Sequence, residues 1–147
     1  MKKTLLAMMG VLCLAAVAVR AADAGWLDDF AKAKAAAAKK KVPMLMNFTG
    51  SDWCGWCIKL EKEVFSQKAF QDYAAKNLVL MKIDFPREIE QTADVKAQNK
   101  KLSDEFKVRG YPTIYLVDTD GKIIGKTGYK PGGAEKYVEH LQELLKK

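Results

Sequence analysis

The chain has 147 residues, of which 49% are hydrophobic and 29% charged, with a formal charge of +7. This describes a single domain large enough for a core that needs no covalent staples. Beyond residue 24 the only arginines are Arg87 and Arg109, and lysines spread along helix faces lack the bidentate geometry that reads bases or phosphates, so no nucleic-acid partner is expected.

Lys2 and Lys3 open the chain, an apolar stretch covers residues 5–19, and Ala22-Asp23-Ala24 stands before Gly25. That is the pattern of a secretory signal peptide over residues 1–24, with an apolar run too short for a membrane span. Cleavage after Ala21 is the second option. The expectation is a single domain over residues 25–147, periplasmic or secreted, with a charge near +5. Cys13 leaves with the signal, and Leu12 before it is too large for a lipoprotein site. Only Cys54 and Cys57 then remain.

Residues 26–40 have Trp26, Phe30, Ala33 and Ala37 along one face, which predicts a first helix. The near-continuous apolar run 42–48 predicts a buried strand. A helix is expected over 54–65 and a short helical piece near 70–76. Leu78-Val79-Leu80-Met81-Lys82-Ile83-Asp84 reads as a second buried strand, stopped by Pro86. The polar stretch 87–107 reads as a largely exposed helix. A third strand, 113–118, leads through Thr119-Asp120-Gly121-Lys122, a strong turn signal, into a return strand 123–129. The last helix places Ala134, Tyr137, Val138, Leu141, Leu144 and Leu145 on one face. Crossover helices predict parallel pairing among the first three strands, and the hairpin predicts antiparallel pairing after them. The fold class is α/β, a mixed sheet with helices on both faces.

Trp53-Cys54-Gly55-Trp56-Cys57 sits where the first strand hands over to a helix. Unpaired N–H groups and the positive end of the macrodipole favour a thiolate there. A disulfide between residues so close in sequence closes almost no loop and braces little. In an exported chain such a pair is suited to exchange.

The same five residues, with Tyr111-Pro112-Thr113 ahead of a strand and Asp120-Gly121 before a glycine-bearing return strand, resemble the thioredoxin family across residues 26–147. The resemblance implies a three-layer α/β/α thioredoxin-like fold and a thiol–disulfide oxidoreductase of the cell envelope, in a reductase or interchange role. It implies that Cys54 is an exposed nucleophile, that Cys57 is a more buried resolving thiol, and that Pro112 is cis and packed against the pair. Trp53, Gly55, Trp56, Tyr111 and Pro112 form the expected substrate-contacting set, the two indoles shaping an apolar rim for protein substrates. The expected partners are protein thiols or disulfides and a membrane or envelope redox partner, with the chain a monomer. No cofactor is implied beyond the redox-active Cys54–Cys57 disulfide.

Other readings of the pair are a Cu(I) carrier, half a zinc site, or an interaction module in which the cysteines are incidental. His140, the only histidine, falls among charged neighbours and reads as a surface residue, so no metal site is expected. The chain also departs from the family pattern. Trp56 stands where many thioredoxins have proline, and Asn47 stands where the family has a buried acid, so no carboxylate is expected there to take the proton of Cys57. The charge of Asp52 should oppose a very low Cys54 pKa, with Lys59 and Lys62 acting the other way more weakly.

Overall fold

The computed structural model describes residues 25–146. The expected signal peptide lies outside them. Strand β2 (Met44–Thr49) is the centre of a five-stranded sheet in the order β1-β3-β2-β4-β5. On one side lies β3 (Val79–Asp84), parallel to it, and beyond that β1 (Trp26–Leu27), parallel to β3. On the other side lie β4 (Thr113–Val117) and β5 (Ile123–Thr127), each antiparallel to its neighbour. The helices are α1 (Phe30–Lys40), α2 (Gly55–Leu60), α3 (Lys68–Asn77), α4 (Ala93–Glu105) and α5 (Gly133–Leu145), and α2 continues through a π-helical turn, Glu61–Phe65.

Two expectations need correction. The first helix begins at Phe30, because Asp29 caps it by accepting a hydrogen bond from the Lys32 N–H at 2.9 Å, and a cap residue is by its nature not helical. Trp26 and Leu27 instead add an edge strand to β3. The third long strand, β4, runs antiparallel to β2 rather than parallel. β3 ends at Asp84 beside Thr49, and β4 begins at Thr113 beside Phe48. The 85–112 connection thus leaves and re-enters the sheet at the same end, and an intervening helix does not by itself dictate a crossover. The hairpin and the last helix form as expected.

Strand alternation sends side chains to two separate cores. Met44, Met46, Phe48, Val79, Met81, Ile83, Tyr115 and Val117 meet Ala33 and Ala37 of α1 and Leu102 of α4. Leu45, Leu80, Ile114 and Leu116 meet α2, α3 and α5 on the opposite face. Along this second face the alternation turns polar toward the strand ends: Leu45 is followed by Asn47 and Thr49, and Leu80 by Lys82 and Asp84, with Asn47 beside Lys82 and Thr49 beside Asp84 in register. Asn47 and Thr49 are buried, and each forgoes the roughly 1.5–3 kcal/mol that a buried aliphatic side chain contributes. That polar end of the sheet lies beneath the start of α2.

Candidate active site

The Gly50 carbonyl accepts hydrogen bonds from the N–H groups of Trp53 and Cys54 at 3.3 and 2.9 Å. This tight turn delivers Cys54 to the cap position of α2, with extended φ and ψ of −84° and 105°. Its Sγ stands where a serine or aspartate oxygen usually caps a helix and accepts the Cys57 N–H at 3.2 Å. Cys54 and Cys57 are joined by a disulfide, with their Cα atoms 5.2 Å apart. A helix-start N–H aimed at one sulfur is the electrostatic condition for a stable thiolate there.

The expectation of an exposed Cys54 needs adjustment. In the disulfide form the residue is 7% exposed, against 5% for Cys57. Trp53, directly before the pair, and Trp56, between its two cysteines, are 37% and 57% exposed.

Three consecutive residues latch the active-site turn to the end of β3 and the segment after it. Ser51 donates from its backbone N–H and its hydroxyl to the Asp84 carboxylate, at 3.0 and 2.5 Å. The Asp52 carboxylate accepts the backbone N–H groups of Arg87, Glu88 and Ile89, at 3.0, 2.8 and 3.2 Å. The Trp53 indole donates to the Phe85 carbonyl at 2.7 Å. The Arg87 N–H and then the Glu88 N–H hold the Asp52 carboxyl below its ordinary pKa. The Asp52 charge, expected from the sequence to oppose a low Cys54 pKa, is thus engaged by the 87–89 amides. Gly50 is required here, since a Cβ would fall 2.5 Å from the Trp53 ring.

Aromatic walls stand on two sides of the turn. Trp53 meets Tyr111 edge-on at 5.9 Å, Tyr111 packs on Phe85 at 5.3 Å, and the Arg87 guanidinium lies over the Trp53 ring at 4.1 Å. The Tyr111–Pro112 peptide bond is cis, as the resemblance implies. Across the turn Trp56 packs on Tyr129 at 5.1 Å, and Lys59 lies over both rings at 5.3 and 5.2 Å. The Tyr129 hydroxyl donates to Glu63 at 2.6 Å, and that hydrogen bond raises the phenol's pKa. A Cβ at Gly55 would meet open space. Among the described residues, Trp53, Trp56, Ile58 and Ile89 account for four of the five exposed large hydrophobic side chains.

The structure thus brings Trp53 and Tyr111 together and sends Trp56 to the opposite wall. Phe85, Arg87, Ile89 and Tyr129 were missed by sequence reasoning. Phe85-Pro86 directly after a buried strand was the one local hint for the first of them. Beneath the disulfide a cavity of about 370 Å³ is lined by Asn47, Thr49, Ser51, Cys57, Glu61 and Lys82. A larger cavity of about 720 Å³, beside β1 and α3, includes neither cysteine in its lining. Among the described residues no group of three or more His, Cys, Asp or Glu side chains is placed to hold a metal ion. His140 lies outside the site, partly buried on α5, with its Nε2 2.9 Å from the Thr127 hydroxyl.

Sheet order, cis proline and a disulfide at a helix start define a thioredoxin-like protein, and residues 30–144 match the family model described as a thioredoxin-like domain. The chain belongs to that family. It is 32% identical over 128 residues to the disulfide bond reductase DsbH of Chlamydia pneumoniae, covering 87% of this chain and 76% of that protein. It is similar to a solved structure of DsbH oxidoreductase, with a TM-score of 0.80, 30% identity and coverage of 94% and 95% of the two chains. It is also 33% identical over 119 residues to the thiol:disulfide interchange protein DsbD of Pectobacterium atrosepticum, covering 79% of this chain but only 19% of that protein.

Proposed function

We propose that this chain is a thiol–disulfide oxidoreductase of the cell envelope that exchanges disulfides with protein substrates through Cys54 and Cys57. The single observation that carries the reading is the disulfide at the start of α2, with the Cys57 N–H donating to Cys54 Sγ. In the reducing direction the Cys54 thiolate attacks one sulfur of a substrate disulfide and expels the other as a thiolate. Cys57 loses its proton and attacks Cys54 Sγ, which re-forms the Cys54–Cys57 bond and releases the second substrate sulfur as a thiolate. Both released thiolates take up protons, so the substrate gains two electrons and two protons. An external donor must then return two electrons to the Cys54–Cys57 disulfide, and an envelope redox partner fits that need.

Several observations support protein substrates. Exposed Trp53, Trp56, Ile58 and Ile89 give the pair an apolar surround of a kind that desolvated peptide contacts use. Trp53, Gly55, Trp56, Tyr111 and Pro112 are assigned to substrate contact, with the backbone beside cis-Pro112 offered to an extended segment. The basic and apolar pattern of residues 1–24 supports export, and the names of the relatives support a reductase or interchange role.

The test is insulin reduction and oxidation of a dithiol peptide by the wild type and by Cys54→Ser. Loss of both activities in the variant is expected. Equal rates for the two proteins would refute the assignment.

A further inference from the structure

The two sulfurs of the disulfide have different surroundings. Cys54 Sγ receives a backbone N–H. Cys57 instead lines the cavity shared with Asn47, whose side chain is 4% exposed. Among the described residues the Asn47 Oδ1 has no hydrogen-bond donor. Buried carbonyl oxygens nearly always have one. Asn47 alternates onto this face from the middle of β2, where Leu45 before it is core, so its polarity serves no packing purpose visible in the fold.

An oxidised Cys57 has no hydrogen to give. A reduced Cys57 thiol has one, and an S–H is a weak donor that an amide oxygen can accept. We propose that Asn47 Oδ1 is the acceptor for the Cys57 S–H, a hydrogen bond that forms when the disulfide opens and breaks when it closes. Asn47 is then a positioning residue for the resolving step. It orients the Cys57 thiol toward the cavity, and because the bond exists only in the reduced form it favours the dithiol over the disulfide. Because amide oxygen is too weak a base to remove the proton, the hydrogen leaves Cys57 for solvent as Cys57 Sγ bonds to Cys54 Sγ. The departing substrate thiolate takes up a proton in turn.

This inference rests on the redox reading above but is tested separately from it. The full chain in a Cys13→Ser background, labelled with ¹³C at asparagine, has three asparagines, Asn47, Asn77 and Asn99. Reduction is expected to move the Asn47 side-chain carbonyl signal and leave the other two in place. An Asn47 signal unchanged by reduction overturns the proposal, and is the result expected if a cavity water satisfies the oxygen in both forms. A second measurement is the S–H stretching band of Cys57 in the Cys54→Ser protein. It is expected at lower wavenumber than a free thiol and should return upward in Asn47→Leu. In otherwise wild-type protein, Asn47→Leu is expected to shift the equilibrium with glutathione toward the disulfide by roughly two- to tenfold, the range of one net hydrogen bond. A shift toward the dithiol, or an S–H band indifferent to Asn47→Leu, contradicts it. Insulin turnover of the same protein separates the two claims: activity without the Asn47 signal change sinks only this one, and the signal change without activity sinks only the catalytic assignment.

Discussion

The Asp52 carboxylate lies 2.8 Å from the Glu88 N–H and also accepts the N–H groups of Arg87 and Ile89. One side chain thereby fixes the 87–89 backbone against the turn that carries the cysteines. Asp52→Ala is expected to speed hydrogen exchange at those three amides and to raise KM for protein substrates more than it lowers kcat. Unchanged exchange would show that the segment holds its place without Asp52.

The same contact has a pH signature. A carboxyl whose folded pKa lies below its unfolded value stabilises the fold above the unfolded pKa, and that stabilisation is lost as pH falls through the folded value. Hydrogen bonds from Arg87 and Glu88 depress Asp52 in this way. The latch therefore stabilises fully at neutral pH, and its contribution is lost as pH falls from the ordinary aspartate range near 3.9 through the lower folded value. In Asp52→Asn the amide-exchange rates at 87–89, corrected for intrinsic exchange, should lose this acid-range dependence. The same dependence in wild type and variant would assign it to another group.

Two glycines, one just before the motif and one inside it, make opposite predictions. A methyl at Gly50 would lie 2.5 Å from the Trp53 indole, whereas at Gly55 it meets nothing within 4 Å. Gly50→Ala should cost about 1–3 kcal/mol, the usual price of overpacking, and weaken the bond from the indole to Phe85. Gly55→Ala should be neutral or stabilise by up to about 1 kcal/mol, because it restricts the unfolded chain. Urea unfolding followed by Trp fluorescence checks both, and a Gly50→Ala protein as stable as wild type would remove the steric account of that turn.

Trp56 is exposed yet packed on Tyr129, so its truncation separates substrate contact from stability. Trp56→Ala should destabilise by less than about 1.5 kcal/mol, the range of an aromatic pair. KM for insulin should rise several-fold while the rate with a small dithiol stays near wild type. Equal losses with both substrates would indicate an effect on the disulfide itself rather than on a docking wall.

Local signals were legible in the sequence and remote ones were not. The motif, the Asp120-Gly121 hairpin and the amphipathic α5 are written within a few residues each, and the structure forms them. A two-residue strand such as Trp26–Leu27 has no period to read. The direction of β4 depends on where the 85–92 segment carries the chain before α4 begins, which no local pattern encodes. Likewise, Asp52 finds its partners some 35 residues away, and Tyr129 meets Trp56 only through the folding of the sheet. The polar alternation Asn47, Thr49, Lys82, Asp84 stood in the sequence throughout. It acquires meaning once those positions are seen to share the face beneath α2.

The central claim assigns attack to Cys54 and release to Cys57, and trapping tests it most directly. Incubated reduced with a disulfide-bonded protein substrate, Cys57→Ser should accumulate a mixed disulfide that peptide mass spectrometry maps to Cys54, and Cys54→Ser should accumulate little or none. A mixed disulfide on Cys57 in the Cys54→Ser protein, formed as fast as the one on Cys54, would contradict the account.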